Sequence, residues 1–403
     1  MKVLVHDYAG HPFQIELSRS LARRGHDVLH LHSGSVITPQ GGLTKTAGDA
    51  DTFNVKALHM AETIKKDSLL ARRNQEIEHG RLVCREIETF RPDVVISSNS
   101  PLDSQKLHQS TCDKLGIPMV FWLQDFMGLA MLTGLSKKLP VVGKLIANYY
   151  IGLETRLLKS SRAIVAISQD FKDQLLKLGL DSRQITVIEN WSPLAEVPLR
   201  PKINAWSEGH ELSTTFNFQY SGTLGLKHNP DLLLLLAKEF KDNPEVRVIV
   251  VSEGQGRKWL EEKVKSEGIS NMRLYDFQPF SELPDMLGSA DVVVAILTAS
   301  AGAFSVPSKV MTYMCSGKPM LLAVPPQNLA SRVVVENKTG LTCPPDGAEA
   351  FVENAKRLYR DADLRRDMGG NSRSYAEQNF DIEKITSRFE AVFEAAVGKK
   401  ASR

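Results

Sequence analysis

The chain has 403 residues, 42% of them hydrophobic and 24% charged. That balance excludes a disordered, collagenous or coiled-coil chain, and at roughly 150 residues per domain it leaves room for two or three domains. Fifty Lys+Arg against 47 Asp+Glu give a net charge of +3, too small a surplus for a general nucleic-acid binder, which needs a concentrated basic face.

The N-terminal half alternates short β-rich runs with helical patterns. Lys2 to Val5 reads as a strand. Gly10-His11-Pro12 breaks it, and a helix follows with Phe13, Leu17 and Leu21 on one stripe. Arg23, Arg24 and Gly25 close that helix with cations and a glycine, as the helix dipole and a left-handed cap favour. Further strands are predicted at 27–31, 93–96, 119–123, 163–167 and 185–188. Continuous apolar runs separated by helices imply a parallel sheet covered on both faces. The pattern lapses over 191–215, where Pro193, Pro198 and Pro201 cluster, and this stretch reads as a link between domains. The alternation then restarts, with strands at 216–220, 246–251, 272–275, 291–297 and 320–324. Helices are predicted at 230–240 and 255–267. A final helix from about 383 to 397 carries Ile385, Phe389, Val392, Phe393 and Ala396 on one stripe.

Cys84, Cys112, Cys315 and Cys343 form no CxxC pair, so reduced thiols are expected rather than a disulfide framework or a zinc site. The opening apolar run stops at His6 and Asp7, too early for a signal peptide. No apolar stretch approaches the 18 residues of a spanning helix. The expectation is a cytoplasmic chain.

Two Rossmann-like domains would place ligands outside the carboxyl ends of their strands, in a central cleft that the domains face. The loops after strands therefore hold the candidates. In the first, Gly10 before a helix lets an anion approach backbone amides, although an ordinary βα turn has the same pattern. In Ser221-Gly222-Thr223-Leu224-Gly225-Leu226-Lys227, a lysine before a helix suits a diphosphate as a point charge. Ser252-Glu253-Gly254-Gln255-Gly256 serves a ligand or a plain turn equally well. In Pro307-Ser308-Lys309, a proline opens a helix and a lysine occupies its first turn. Its charge is unfavourable for the bare dipole, and a bound anion would offset that. Thr312, one turn on, suits a sugar hydroxyl. Asp125, at the end of a first-domain strand, suits orientation or deprotonation of an acceptor hydroxyl, or a helix cap.

The runs YSGTLGLKHNPD, VSEGQGRKWLEE, YDFQPFSELPDMLGSADVVVAIL and SVPSKVMTYMCSGKP resemble family-4 glycosyltransferases of the GT-B fold. FWLQDFMGLAMLTGL, AISQDFKDQLLKLGL and VIENWSP resemble the bacterial colanic-acid, O-antigen and capsule branch. The resemblance runs through nearly the whole chain. It implies an acceptor-binding domain at 1–200, a nucleotide-sugar-binding domain at 201–382, and a C-terminal helix and tail at 383–403 that cross back to the first domain. It also implies retaining transfer from a nucleotide diphosphate sugar, UDP-linked, to a hydroxyl of a polysaccharide or lipid-linked acceptor, with no metal or separate cofactor.

Residue by residue, the resemblance makes Lys227 the diphosphate lysine and Gly10 its neighbouring loop glycine. Gly222 and Thr223 fall in the same donor loop as Lys227. Phe277 falls where the base is gripped. Ser308, Lys309 and Thr312 fall where phosphate and ribose are held. Lys227 and Asp125 are the catalytic candidates, with the leaving phosphate accepting the acceptor's proton in a front-face displacement. Three positions depart from the family. Phe304 and Thr312 stand where two glutamates are common, Thr223 where an arginine accompanies the lysine, and Gln124 where a histidine precedes the carboxylate. Losing the arginine removes a bidentate phosphate partner, a place Lys309 is suited to take.

Between 136 and 162, Lys137, Lys138, Lys144, Arg156, Lys159 and Arg162 face one acid, Glu154, with apolar and aromatic residues between them. That mixture suits an anionic bilayer surface, here the inner membrane, or a packed helix with a basic outer face. A GT-B-fold nucleotide-sugar epimerase and a non-catalytic nucleotide-sugar-binding partner subunit are the competing readings. No nucleic-acid partner is expected.

Overall fold

A computed structural model of the chain describes residues 1–36, 40–61, 69–98, 100–138, 140–225, 228–300 and 307–398. The chain divides into two compact units. One is Met1–Asn190 joined by the chain from Ile382 onward, and the other is Trp191–Asp381.

The first unit holds β1 (Lys2–Asp7), α1 (Pro12–Arg23), β2 (Asp27–Ser33), β3 (Phe53–Leu58), α2 (Leu69–Phe90), β4 (Val94–Ser98), α3 (Leu102–Leu115), β5 (Met119–Leu123), α4 (Met127–Lys138), α5 (Val142–Ser160), β6 (Ala163–Ala166), α6 (Gln169–Lys177) and β7 (Ile185–Val187). Its sheet runs β3-β2-β1-β4-β5-β6-β7 with every pairing parallel. The predicted apolar runs are its central strands, with Val3, Leu4, Val5, Val94, Val95 and Ile96 wholly buried. The sequence pattern missed β3. This edge strand buries only Phe53 and Leu58, so it carries no continuous apolar run.

The second unit holds α7 (Ala205–Gly209), β8 (Phe216–Ser221), α8 (Asp231–Glu239), β9 (Val246–Val251), α9 (Gln255–Glu267), β10 (Met272–Tyr275), α10 (Leu283–Gly288), β11 (Val292–Ile296), α11 (Lys309–Cys315), β12 (Met320–Ala323), α12 (Leu329–Glu336), β13 (Gly340–Cys343), α13 (Ala348–Arg360) and α14 (Ala362–Asn379). Its parallel sheet is ordered β10-β9-β8-β11-β12-β13. Both are therefore Rossmann-like sheets, and each reverses strand order once, at β1/β4 and at β8/β11. Open α/β sheets bind ligands at such a point, beyond the carboxyl ends of the strands.

The stretch from 191 to 215 is less of a bare linker than its composition suggests. Lys202 pairs with Asp291 at 2.6 Å and Arg200 with Asp285 at 3.0 Å. Asn204 and Ser207 make a reciprocal capping box that starts α7 and buries Trp206. Residues 191–200 fall in the second unit, so the division comes some residues before the boundary at 200 that the sequence suggests.

The last helix, α15 (Ile382–Gly398), belongs to the first unit. Its stripe is buried as patterned: Phe389 and Phe393 are fully covered, and Phe389 lies edge-on to Trp122 at 4.8 Å. Arg24 of α1 grips it from outside, reaching Glu383 at 2.8 Å and Glu390 at 2.6 Å. The cation that closes α1 therefore also ties down the returning helix. No helix among the described residues is long and apolar enough to cross a membrane.

Candidate active site

The loops that follow the strands at each switch point carry most of the residues singled out by sequence. In the first unit, β1 ends on Asp7, which is fully buried. Its carboxylate accepts the amides of Ala9 and His11 and lies 3.2 Å from His11 Nδ1. Burial opposes ionisation, but His11 and that backbone amide outweigh it and hold the Asp7 pKa below the usual range. The loop is folded around this carboxylate, and Gly10 takes φ +78° at its tip. A Cβ there would come within 2.6 Å of the end of the Leu43 side chain, which would have to shift, and the positive φ itself disfavours any residue but glycine.

Two strands over, β5 is followed directly by Gln124 and Asp125. The Gln124 side chain makes a reciprocal amide pair with Asn190, at 3.1 and 2.6 Å. The glutamine, which stands where the resemblance led to a histidine, thus has a structural partner. Asp125 is half-buried and lines a small recess together with Ser97, Ser98, Ser100, Gln105 and Glu154. Glu154, which the sequence marked only as the single acid in a basic stretch, reaches from α5 to the start of α4. There it accepts the amides of Met127 at 2.9 Å and Gly128 at 3.1 Å. Those amides have no partner within their own helix, so the carboxyl serves as a cap supplied from another element. Burial raises its pKa to about 7; the two amides pull it down and Asp125 pushes it up.

In the second unit, β8 ends at Ser221 and turns through Gly222 with φ +123°. Tyr313 of α11 pins this end: its hydroxyl accepts the Ser221 amide at 2.9 Å and lies 3.2 Å from the carbonyls of Ser221 and Val294. Lys309 lies four residues earlier, on the same helix face. Its ammonium stands 3.6 Å from the centroid of the Tyr220 ring, and a Cβ on Gly222 would lie 3.1 Å from it. The tyrosine face attracts the cation, so a lysine in the first turn of α11 has a stabilising partner that the sequence did not reveal. The Tyr220 hydroxyl donates to the Thr223 carbonyl at 2.9 Å, which closes the turn.

The remaining candidates are more dispersed. Thr223 and Ser308 are exposed, and Phe277 is half-buried in the loop after β10. The Thr312 hydroxyl lies 3.1 Å from that of Ser192, an engagement the sugar-hydroxyl expectation did not include. Lys227 and Phe304 lie outside the described residues. The structure thus brings Gly222 and Lys309 together on one unit and places Gly10 and Asp125 on the other. Tyr220 and Tyr313 escaped sequence reasoning because each reads as an ordinary apolar position of its strand or helix. Among the described residues, no group of three or more His, Cys, Asp or Glu is arranged to hold a metal ion.

Comparison with known proteins agrees with this division. Residues 13–195 match the family Glycosyltransferase Family 4, and residues 203–375 match Glycosyl transferases group 1. WcaI of Escherichia coli (strain K12), whose name assigns it to colanic acid biosynthesis as a glycosyl transferase, is 23% identical over 68% of this chain and 67% of its own. Among solved structures, Anabaena HepE in complex with UDP-glucose superposes with a TM-score of 0.70 at 16% identity, over 98% of this chain and all of that one. WaaG, a glycosyltransferase involved in lipopolysaccharide biosynthesis, gives 0.69 at 13% identity over 97% and 99%. Two matched domains spanning most of the chain, each on its own Rossmann-like sheet, make this protein a member of the GT-B glycosyltransferases, with a family-4 N-terminal domain and a group 1 C-terminal domain.

Proposed function

We propose that this enzyme transfers a sugar, with retention of configuration, from UDP-linked donor to a hydroxyl of a growing, lipid-linked cell-surface polysaccharide, and does so at the cytoplasmic face of the membrane without a metal ion. The observation that carries the donor half is the Lys309 ammonium beside Gly222, at the β8/β11 switch point. A diphosphate placed there meets a fixed cation and a turn with no side chain to obstruct it. The leaving diphosphate gains negative charge as the sugar–oxygen bond breaks, and a cation already in position stabilises that charge without reorganising. Lys227, by its place in the loop sequence, is the second cation of this reading. Solution of HepE with UDP-glucose supports a UDP-sugar donor. The names of WcaI and WaaG support a surface-polysaccharide acceptor.

The acceptor half falls to the first unit, where Asp125 orients the attacking hydroxyl. A lipid-linked acceptor requires docking at a bilayer, and the exposed residues at the start of α5 support that reading. Val141 is 74% exposed and Leu145 66%, with Val142, Ile146 and Tyr149 also exposed and Lys144 among them. Apolar side chains that enter the headgroup layer beside a cation fit an anionic surface.

The deciding experiment is a panel of nucleotide sugars tested by thermal melting, followed by turnover with whichever donor stabilises. A saturating donor raises stability by a few kcal/mol, about 3 at a hundredfold excess over Kd. Lys227→Ala is expected to cut transfer by orders of magnitude with the fold intact. Near-normal turnover in that variant removes Lys227 from the mechanism. No flotation with anionic vesicles at low salt removes the docking face.

A further inference from the structure

A diphosphate at Gly222 needs room for the nucleoside attached to it. Ser221 is the register partner of Val251, and Val251 that of Tyr275, so β8, β9 and β10 end level at the carboxyl edge of the second sheet. Two strand spacings set Tyr275 about 10 Å from Ser221, a span that a nucleoside can bridge from its phosphate. The turn that follows β10, Asp276-Phe277-Gln278, offers the half-buried ring of Phe277 at that reach.

Gln278 is bonded at both ends of its amide. Its Nε2 donates to the Asp276 carbonyl at 2.9 Å, which closes the turn around Phe277, and its Oε1 accepts from Trp206 Nε1 at 3.3 Å. Trp206 is 5% exposed and belongs to α7, a helix of 5 residues set inside the stretch whose composition reads as a linker. So short a helix is not stable by itself, and several contacts hold it in place. Besides the capping box, Asn204 Nδ2 donates to the Asp285 carbonyl at 2.9 Å, which ties α7 to α10. His210 stacks on the Trp206 indole at 4.2 Å, donates from Nδ1 to the Trp206 carbonyl at 2.7 Å, and stands edge-on to Tyr275 at 4.8 Å. The indole is thereby fixed against the end of β10.

On the other flank of the turn, Arg257 of α9 lies 3.1 Å from Asp276, whose side chain is 78% exposed, so that pair contributes little. The buried indole N–H is the stronger tether, because breaking it also leaves a covered donor without a partner. A turn held in this way presents Phe277 as a wall that does not yield. Rejecting a larger base takes such a wall, since a loose one moves aside for a purine as readily as it receives a pyrimidine.

We propose that α7 determines which nucleobase the donor carries: Trp206, acting through Gln278, is a positioning residue that holds the Phe277 turn against the base. The inference rests on the donor reading above and adds to it the part of the fold that selects among donors.

The test uses the full chain and three probes, UDP, ADP and inorganic pyrophosphate, titrated by calorimetry into the wild type, Trp206→Phe and Gln278→Leu. Trp206→Phe keeps an aromatic ring and removes the N–H. Gln278→Leu cuts both bonds of the amide and leaves α7 untouched, so it decides the matter if the tryptophan variant folds poorly. The wild type is expected to prefer UDP to both ADP and pyrophosphate. Each variant should lose about fivefold or more in UDP affinity, the worth of one neutral hydrogen bond, with a lower UDP-to-ADP ratio and unchanged affinity for pyrophosphate. An unchanged UDP-to-ADP ratio in Gln278→Leu overturns the proposal, and so does an equal loss of UDP and pyrophosphate affinity, which a merely structural role would produce. Pyrophosphate binding by the wild type with no preference between the nucleotides overturns it too and leaves the diphosphate site standing. Failure of the wild type to bind either UDP or pyrophosphate overturns the donor reading itself.

Discussion

Replacing His108 by leucine is expected to make the first unit less sensitive to acid. His108 is fully buried on α3, its ring 4.8 Å from that of His6, and neither of its nitrogens has a hydrogen-bond partner. Burial, with His79 nearby, lowers its pKa from 6.5 to about 3. Below pH 6.5 the unfolded chain therefore takes up a proton that the folded chain refuses, and stability falls as the pH drops from 6.5 toward 3. At pH 5 that difference amounts to about 2 kcal/mol, from 1.36 kcal/mol per pH unit over one and a half units. Leucine removes the titrating group and two orphaned nitrogens, which are worth about 1–3 kcal/mol, against a packing mismatch of less than about 1.5. The variant should thus match or exceed the wild type at pH 7 and gain a further ~2 kcal/mol on it at pH 5. Hydrogen exchange of the β1 and β4 amides at both pH values reads the first unit by itself. An equal difference between variant and wild type at the two pH values would refute the reasoning, and so would a loss of several kcal/mol at pH 7.

Glu154→Gln carries the opposite sign. A carboxyl raised from 4.5 to about 7 costs the fold stability as the pH rises through that window, so the variant should lose a pH-dependent destabilisation of about 3 kcal/mol, read by urea melts at pH 4.5 and 7.5. Gly222→Ala forces a side chain into φ +123° and against Lys309, and should destabilise the second unit by about 1–3 kcal/mol and weaken UDP binding, both visible in thermal melts. Phe389→Ala opens a cavity beside Trp122 and should cost about 3–5 kcal/mol and expose α15 to proteolysis; unchanged stability would remove α15 from the core of the first unit.

The sequence by itself determined the two parallel sheets. Runs such as Val3 to Val5 and Val292 to Ile296 are buried on both faces, so their hydrophobicity needs no register to be read. It likewise determined the stripe of α15 and the turn glycines Gly10 and Gly222, whose backbone shapes other residues rarely adopt. The edge strands β3 and β13 were missed because they are short or half-exposed and lack such runs. Only the tertiary structure decided how the side chains of the site are partnered. His6, His79, His108 and Gln105 are scattered over a hundred residues, and they meet because strand order sets β1 beside β4, with α2 and α3 packed together over them. Lys309 read as a cation in search of an anion until β8 and β11 came side by side and set the ring of Tyr220 beneath it. Local pattern reports burial and backbone shape, which each residue carries with it. Partnership depends on which distant segments the sheet makes neighbours, and no local pattern encodes that.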